Sequence, residues 1–343
     1  MKKYNIAVVG ATGAVGEEIF RVLEEQNFPV GDVLPLASAR SAGGTIEFNG
    51  KSYEVEELTS SVFNGRDIDI AFFSAGGSIS AKYAKYAVEA GAVVIDNTSY
   101  FRMEERVPLV VPEVNPEDIE LWEDSGIIAN PNCSTIQMVQ ILKPLDELYG
   151  IKRVDVSTYQ AVSGAGKSGM EELVNQMKDF FAFKLDETEV KTFPHQIALN
   201  VIPHIDTPQP NGYTKEEMKM VNETNKIMHS NFAVSATCVR VPVLRSHSES
   251  ITITFNEGID VSVDMVRDAL EKFPNLKVID DLEHNQYPMP LISTNTDYTY
   301  VGRIRKDIFS SNILHLWGVA DQVRVGAATN AVRIAQKWIE LEE

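Results

Sequence analysis

Short apolar runs alternate with segments of helical spacing in the first half of the chain. The apolar runs at residues 6–9, 33–37, 68–73 and 93–95 predict strands. Helices are predicted after the first run, where Val15, Ile19, Val22 and Leu23 share one face, and over residues 81–90. Strands that alternate with helices are typical of an α/β fold, here a doubly wound parallel sheet of the Rossmann type.

A glycine-rich turn follows the first predicted strand and precedes the first predicted helix. Gly10, Gly13 and Gly16 occur at the spacing G-x-x-G-x-x-G, a variant of the G-x-G-x-x-G pattern. Glycines let the backbone approach a pyrophosphate closely, and the helix N-terminus supplies N–H donors. The order of strand, turn and helix therefore predicts a dinucleotide site. Its candidate contacts are Gly10, Thr12, Gly13, Ala14 and Val15.

Polar loops follow other predicted strands, at the carboxyl ends where such sheets bind ligands. The second strand is followed by Ser38, Arg40 and Ser41 rather than by the Asp or Glu that pairs with the ribose hydroxyls of NAD. A guanidinium with two hydroxyls suits a 2′-phosphate, so the sequence favours NADP over NAD. Ser74 and Gly76 follow the third strand and are further candidate cofactor contacts.

The segment Asn-Pro-Asn-Cys-Ser-Thr at residues 130–135 places one of the two cysteines just ahead of a predicted helix. Ile136, Val139, Leu142 and Leu145 give that helix its apolar face. A thiol at a helix N-terminus has a lowered pKa, because free N–H groups and the helix dipole stabilise the thiolate. The flanking asparagines suit helix capping and add amide donors where an oxyanion could form. Cys133 is therefore the candidate nucleophile.

The second half predicts an α+β region. Runs at residues 154–162, 231–243 and 250–255 predict strands, and residues 261–273 predict a helix. The loop at 163–169 superficially resembles a phosphate loop, but it does not match G-x-x-x-x-G-K-[ST], which argues against an ATP site. This loop is instead expected to be a second dinucleotide contact or a tight loop beside the site. Cys238 lies within a predicted strand and is interpreted as structural.

The composition narrows the classes of function. At 343 residues the chain predicts about two domains. Its 49 acidic and 31 basic residues give a net charge of −18, which argues against nucleic acid or an anionic membrane as a partner. The apolar runs are too short to span a bilayer, and the N-terminus leads into the first strand without a secretory segment. Two distant cysteines form neither a disulfide framework nor a metal motif, so a cytoplasmic protein without a metal site is expected.

The chain resembles the aspartate-β-semialdehyde dehydrogenase family, bacterial NADP-dependent enzymes, over essentially its whole length. The resemblance rests on Gly-Ala-Thr-Gly-Ala-Val-Gly at 10–16, Ser-Ala-Arg-Ser at 38–41, Asp-Asn-Thr-Ser at 96–99, the cysteine segment at 130–135, and residues 240–247. The cysteine motif with its ordered partners is highly specific, whereas the glycine motif alone is not. The resemblance implies reduction of L-4-aspartyl phosphate to L-aspartate 4-semialdehyde, in the pathway to lysine and diaminopimelate, methionine, threonine and isoleucine.

The resemblance implies the roles of three catalytic residues. Cys133 would form an acyl-enzyme thioester, Gln160 would orient the substrate carbonyl, and His247 would act as acid and base. In the oxidative direction the thiolate attacks the aldehyde, NADP accepts a hydride, and inorganic phosphate displaces the thioester as an acyl phosphate. Biosynthesis runs these steps in reverse.

The resemblance also implies how a doubly anionic small-molecule substrate is held. Arg240 would bind the α-carboxylate, and Glu216, or Glu217 in its place, would pair with the amine. Lys219 and Arg102 would bind phosphate. Further implied contacts are Asn132 with the substrate, and Ser163, Gly164 and Gln322 with the cofactor.

Two alternatives remain. One is N-acetyl-γ-glutamyl-phosphate reductase, whose cysteine motif typically carries Pro-Gly-Cys and whose substrate has no amine for Glu216. The other is a non-catalytic NADP-binding relative, which should have lost the thiol or the histidine. Glyceraldehyde-3-phosphate dehydrogenase does not fit, because its Ser-Cys-Thr-Thr-Asn signature is absent from the sequence.

The domain order is predicted from the last helix. Val332, Ala335 and Ile339 share one face of residues 327–339, so this helix is expected to pack on the first domain. The expected NADP-binding domain is 1–130 with 321–343, and the expected catalytic, substrate-binding and dimerisation domain is the insertion 131–320. The resemblance implies a homodimer, or a dimer of such dimers.

Overall fold

The structure of the protein is a computed structural model that describes residues 2–342. The described chain forms two compact units, residues 2–132 with 327–342, and residues 133–326. The first unit is therefore discontinuous in sequence, and the second is inserted into it. Within residues 2–342, every helix is too short or too polar for a transmembrane span.

A six-stranded parallel sheet forms the centre of the first unit. Its strands are β1 (Tyr4–Val9), β2 (Val30–Ala37), β5 (Glu56–Glu57), β6 (Ile70–Phe73), β7 (Val93–Asp96) and β8 (Ile127–Ala129), in the order β5-β2-β1-β6-β7-β8. A separate hairpin consists of β3 (Thr45–Phe48) and β4 (Lys51–Glu54). The chain fills one side of β1 and then crosses to β6 on the other side, so the carboxyl end of β1 lies at a switch point, where such sheets bind ligands. The predicted α/β fold with a Rossmann-type parallel sheet is confirmed.

Two helices connect the strands around that switch point. α1 (Ala14–Glu25) joins β1 to β2, and its predicted apolar face, with Ile19 and Leu23, is buried in the core of this unit. α2 (Gly77–Glu89) joins β6 to β7 and begins earlier than predicted, directly after the Gly76 turn. Both helices therefore start close to the carboxyl end of a strand, which directs their N-termini toward the ligand side of the sheet.

A mixed six-stranded sheet forms the second unit. Its strands are β9 (Ile151–Gln160), β10 (Ala233–Arg240), β11 (His247–Phe255), β12 (Leu276–Val278), β13 (Thr299–Lys306) and β14 (Ile313–Ala320), in the order β10-β9-β11-β14-β13-β12. Its helices are α3 (Cys133–Tyr149), α4 (Gly166–Phe181), α5 (Lys215–Ile227), α6 (Val263–Lys272) and the short α7 (Pro290–Ser293). Leu142 of α3, Met220 of α5 and Leu270 of α6 are buried in one core with Ile251 and Ile253 of β11. The predicted α+β character of this region is confirmed.

Several predicted strand boundaries differ from the structure, and two of these differences concern candidate site residues. The strand predicted to reach residue 243 ends at Arg240, because Pro242 lacks the N–H that a sheet ladder requires. The strand predicted from residue 250 begins at His247, since Ser248 and Glu249 are buried although they are polar. Arg240 and His247 are consequently the last residue of β10 and the first residue of β11.

The last helix, α8 (Thr329–Glu342), completes the core of the first unit. Val332, Ala335 and Ile339 are buried there, as their spacing predicts. The Trp338 ring meets the rings of Tyr4 and Trp122 edge to face, at centroid distances of 6.3 and 5.6 Å. The predicted packing of this helix on the first domain is confirmed.

Candidate active site

The glycine turn of the first unit has the close backbone packing that a dinucleotide site requires. Gly10 has a φ of 89°, and a Cβ on it would lie 3.0 Å from the carbonyl carbon of Ser74. A Cβ on Gly16 would lie 2.2 Å from the carbonyl oxygen of Gly10, so a side chain there would push α1 away from β1. Gly13 precedes α1 as its N-cap. These residues fit a pyrophosphate held by backbone N–H groups at the start of α1.

The predicted 2′-phosphate contacts follow β2 directly. Ser38 and Arg40 are exposed and Ser41 is half-buried, in a turn closed by a 2.8 Å hydrogen bond from Ser41 N to Ser38 O. Ser74 is anchored to β1, because its N and Oγ both donate to Val9 O, at 2.9 and 3.1 Å. An accessible guanidinium between two serines fits a phosphate group.

Arg102 is buried in the first unit against main-chain carbonyls. Its Nε donates to Asn130 O at 2.9 Å and its Nη2 donates to Asn97 O at 2.8 Å. The side chain of Asn130 bonds in turn to Asn97 Oδ1 at 2.9 Å and accepts from Asn330 Nδ2 at 2.6 Å. Asn132 is also buried. The segment that leads into the cysteine is therefore fixed from several sides within its own unit.

Cys133 is the first residue of α3, and its side chain is half-buried. At this position the N–H groups of the first turn and the helix dipole favour a thiolate. A Cβ on Gly326 would lie 2.6 Å from Cys133 Cβ, so only a glycine allows this contact. By contrast, Cys238 is fully buried on β10, and this burial raises the pKa of its thiol. Of the two thiols, Cys133 is the one placed for chemistry.

The main chain of Ala161 joins the side chains of His247 and Arg240. Its N–H donates to His247 Nδ1 at 3.0 Å, and its carbonyl accepts from Arg240 Nη1 at 2.7 Å. Complete burial, and then the Arg240 charge, lower the pKa of His247 to about 3. A Cβ on Gly164 would lie 2.7 Å from Arg240 Nη1 and 3.2 Å from His247 Nε2. Gly164 therefore leaves room in front of both functional groups.

Gln160, Glu216 and Lys219 form a connected polar cluster in the second unit. Gln160 Nε2 donates to Glu216 Oε1 at 3.2 Å, and Lys219 Nζ donates to Glu216 Oε2 at 2.9 Å. Lys219 Nζ also donates to Asp206 Oδ2 at 2.8 Å. Burial opposes the charge on Lys219, but the two carboxylates outweigh it and raise its pKa. The cluster thus keeps an ammonium between two carboxylates.

Glu217, the alternative to Glu216, is engaged in capping α5. Its Oε2 accepts from Thr214 N at 2.7 Å, while Thr214 Oγ1 accepts from Glu217 N at 3.3 Å. Its other oxygen accepts from Cys238 N at 3.0 Å. Glu216 is therefore the glutamate whose carboxylate lies beside Gln160 and Lys219.

Gln322 holds the turn that precedes His247. Its Oε1 accepts from Ser246 N at 2.8 Å, and its Nε2 donates to Ser163 Oγ. Ser246 has a φ of 78°, which a non-glycine residue adopts at a cost in free energy. Gln322 thus supports a strained backbone next to the histidine, and the contacts of Ser163, Gly164 and Gln322 with a cofactor stay a prediction.

Four residues around the site were not found from the sequence: Ala161, Asp206, Glu249 and Asp321. Ala161 contributes main-chain atoms, which carry no side-chain signal. Asp206 and Asp321 are ordinary acidic residues in sequence, yet they pair with Lys219 and, at 2.7 Å, with Arg245 Nε. Glu249 is fully buried on β11 two positions after His247. It lies among polar residues at the start of this strand, so its burial has no signal in the hydrophobic pattern.

Two family models match the chain: "Semialdehyde dehydrogenase, NAD binding domain" over residues 5–122 and "Semialdehyde dehydrogenase, dimerisation domain" over residues 142–325. The aspartate-semialdehyde dehydrogenase of Campylobacter jejuni is 67% identical over 99% of both chains, and that of Bacillus subtilis is 48% identical over 98% of both. The solved structure of aspartate semialdehyde dehydrogenase II complexed with ASA from Vibrio cholerae has a TM-score of 0.94 and 47% identity over 99% of each chain. The Candida albicans enzyme with NADP has a TM-score of 0.76 and 28% identity, also over 99% of each chain.

Proposed function

The chain belongs to the aspartate-semialdehyde dehydrogenase family, and we propose that it reduces L-4-aspartyl phosphate with NADPH to L-aspartate 4-semialdehyde and phosphate. The reverse reaction is the phosphorylating oxidation of the semialdehyde. One observation carries the proposal. The half-buried thiol of Cys133 lies at the first residue of α3, in the same unit as Gln160, Arg240 and His247, whose side chains are held by hydrogen bonds. The product would feed the synthesis of lysine and diaminopimelate, methionine, threonine and isoleucine.

The proposed reaction proceeds through covalent catalysis by Cys133. In the oxidative direction its thiolate adds to the aldehyde carbon, and loss of a hydride turns the adduct into a thioester. An oxygen of inorganic phosphate then attacks the thioester carbonyl and expels the thiolate, which leaves an acyl phosphate. Gln160 orients the substrate carbonyl, and His247 acts as the acid and base that transfers protons in the reaction.

We propose NADP as the cofactor, held by the glycine turn of the first unit and by Ser38, Arg40 and Ser41. The absence of side chains at Gly10 and Gly13 and the exposure of Arg40 support this assignment. The oxidised cofactor, when bound, would accept the hydride, and the reduced cofactor would donate it in the reverse direction. The preference over NAD follows from the guanidinium and two hydroxyls at the end of β2, where NAD sites favour a carboxylate.

Each charged group of the proposed substrate pairs with a side chain of opposite charge. The buried Arg240 guanidinium, with its carbon 5.8 Å from the Phe193 ring centroid, pairs with the α-carboxylate. Glu216 pairs with the amine, while Lys219 and Arg102 are assigned to phosphate and Asn132 to a further substrate contact. An amine partner for Glu216 distinguishes this substrate from its N-acetylated analogue.

We also propose that the second unit forms a homodimer through its sheet. One face of this sheet is covered by α3, α5 and α6, whereas the opposite face carries Tyr159, which is 39% exposed, packed on Trp317. The family model that matches this unit is described as a dimerisation domain. A dimer of such dimers is the alternative assembly.

The proposal is tested by following NADPH formation from aspartate semialdehyde and NADP with and without phosphate. We expect phosphate-dependent turnover, and a loss of at least about 10³-fold in kcat for Cys133→Ala, because the nucleophile is removed. Cys238→Ala is the matched control, since its thiol is fully buried in the core of the second unit against Met220, and its turnover should stay near that of the unaltered enzyme. Turnover without phosphate, or preference for the N-acetylated five-carbon semialdehyde, would reject the proposal.

A further inference from the structure

Lys219 is bonded to two carboxylates rather than to one. Its ammonium donates to Glu216 Oε2 at 2.9 Å and to Asp206 Oδ2 at 2.8 Å. The Glu216 side chain is almost fully buried, whereas the side chains of Asp206 and Lys219 are 28% and 18% exposed. These three groups carry two negative charges and one positive charge, so they have one negative charge in excess.

The chain holds Asp206 in place from both sides. Asp206 has a φ of 67°, in the left-handed region that a non-glycine residue seldom adopts. Its Oδ1 accepts from Thr207 N at 2.8 Å, and Thr207 O accepts from Lys215 N at 2.7 Å. Earlier in the same segment, Ile202 and Arg240 exchange two main-chain hydrogen bonds, at 2.9 and 2.8 Å. The position of the Asp206 carboxylate is therefore determined by the start of α5 on one side and the end of β10 on the other.

The second carboxylate changes what the first one can bind. If Glu216 were the sole partner of Lys219, a substrate ammonium would have to share one negative charge with a second cation, and the two cations would repel each other. Because Asp206 balances the charge of Lys219, the charge of Glu216 is left for a further cation. The excess negative charge of the cluster thus matches one added ammonium.

We propose that Asp206 is a specificity-determining residue that selects for an amine on the substrate, because it balances the charge of Lys219 and lets Glu216 pair with the substrate ammonium. This inference rests on the proposed function, in which Glu216 binds that ammonium. Asp206 acts through Lys219 rather than on the reacting atoms, so its contribution belongs to substrate binding.

The other charges near the cluster preserve this balance. Burial opposes the charge of Lys219, but the two carboxylates raise its pKa, so the ammonium stays protonated. Burial also opposes the charge of Asp206, but the bond from Lys219 and its charge lower the pKa of this carboxyl group. Arg240 interacts with Glu216 through its charge, and in the proposed complex the substrate α-carboxylate balances that guanidinium. Lys215 also acts on Asp206, but it is exposed, where water and salt screen its charge.

The test compares aspartate semialdehyde with succinate semialdehyde, which is the same four-carbon acid without the amine. Asp206→Asn removes the charge and keeps the side-chain shape, and asparagine readily adopts the left-handed backbone conformation. We expect KM for aspartate semialdehyde to rise about tenfold or more, with kcat within about twofold of the unaltered enzyme, because the ammonium pair loses one of its two counter-ions. The inhibition constant of succinate semialdehyde as a competitor should change less than about twofold, because this ligand brings no ammonium.

The KM for phosphate separates this role from a purely structural one. Lys219 is assigned to phosphate, so a structural Asp206 that only positions this ammonium would be needed for phosphate binding. Removal of a negative charge beside the ammonium should instead leave KM for phosphate unchanged or lower it. Asp268→Asn is the matched control, since Asp268 also pairs with a lysine, Lys272, at 2.6 Å, but on the exposed side of α6. It should change none of these constants.

Three results would overturn the inference: an unchanged KM for aspartate semialdehyde in Asp206→Asn, an equal rise of both semialdehyde constants, or a higher KM for phosphate. These constants do not depend on the concentration of active enzyme, so partial misfolding of the variant does not change the outcome. If the unaltered enzyme shows no phosphate-dependent NADPH formation, the proposed function is rejected, and the inference with it. If it does and Asp206→Asn gives one of the three results, the function stands and the role of Asp206 is rejected.

Discussion

Glu249 is a fully buried carboxyl group two positions after His247, on the same strand. Burial raises its pKa well above the usual value, against a smaller opposite effect of Gln137. In the native state the carboxyl therefore keeps its proton at a pH where the unfolded chain has released it. The stability that this group contributes is present below the unfolded pKa of about 4.3 and is lost as pH rises toward the native value.

Glu249→Gln should therefore stabilise the protein at neutral and alkaline pH. The amide has nearly the same shape and no charge, so the gain is expected to be on the order of 1–3 kcal/mol near pH 8 and to vanish near pH 4. Denaturant unfolding of both proteins across this pH range measures the difference. Glu271→Gln on the exposed side of α6 is the control and should leave the pH dependence unchanged. A destabilised Glu249→Gln at pH 8 would mean that the native carboxylate is ionised and solvated.

At the scale of single residues, sequence reasoning named the candidate reacting side chains and missed the groups that bond to them. Cys133 was found because its flanking motif and the helix that follows are both local in sequence. Ala161 could not be found, since its role lies in a main-chain N–H and carbonyl whose partners are far along the chain. The preference for Glu216 over Glu217 as the candidate likewise rests on a bond that the sequence does not reveal, from Cys238 N to Glu217.

Among the secondary-structure elements, α5 connects stability to the polar cluster of Gln160, Glu216 and Lys219. Thr214 and Glu217 form a reciprocal capping box at its start, and the Glu217 carboxylate also bonds to β10. Glu216 lies between these residues in the first turn. The position of the Glu216 carboxylate therefore depends on how well this helix end is fixed.

Thr214→Ala should cost about 1 kcal/mol of stability, because the N3 amide loses its side-chain acceptor. We expect KM for the semialdehyde to rise more than kcat falls, since Glu216 is assigned to binding rather than to bond making. Thr214→Ser keeps the hydroxyl and should retain both stability and KM. Unfolding curves and steady-state kinetics of the two variants provide the comparison. An unchanged KM in a destabilised Thr214→Ala would show that the helix cap does not position Glu216.

Elements such as α1 and α8 were predicted from their regular patterns, and two of the misses have physical causes. The sequence analysis assigned no strand to β13, whose polar Arg303, Arg305 and Lys306 interrupt the apolar alternation. The structure has a register shift between Gly302 and Arg305, and Arg303 has a φ of 53°, so the strand is locally bulged. β11 was predicted to start too late because buried polar residues at a functional site do not follow the hydrophobic pattern.

In the whole molecule, the second unit, residues 133–326, is inserted into the first, and its first and last residues lie close together. A Cβ on Gly326 would lie 2.6 Å from Cys133 Cβ, so the chain leaves and re-enters the second unit at neighbouring points. The returning segment forms α8, which adds Val332, Ala335, Trp338 and Ile339 to the core around β1. The helix spacing predicted this return, because an amphipathic helix must bury its apolar face, whereas the closeness of the two ends had no sequence signal.

Residues 1–132 should not fold by themselves. Without α8 the rings of Tyr4 and Trp122 lose their contacts with Trp338, and the buried apolar side of the sheet is opened to water. Burying a single large aromatic side chain contributes about 1.5–3 kcal/mol, so losing α8 removes a large part of the stability of a small domain.

If residues 327–343 are joined to residue 132 by a short Gly-Ser linker, cooperative unfolding should return, together with NADP binding measured by calorimetry. Trp338→Ala in the joined chain is the matched control and should lower its melting temperature. Cooperative unfolding of residues 1–132 alone would show that the last helix only covers a core that is already complete.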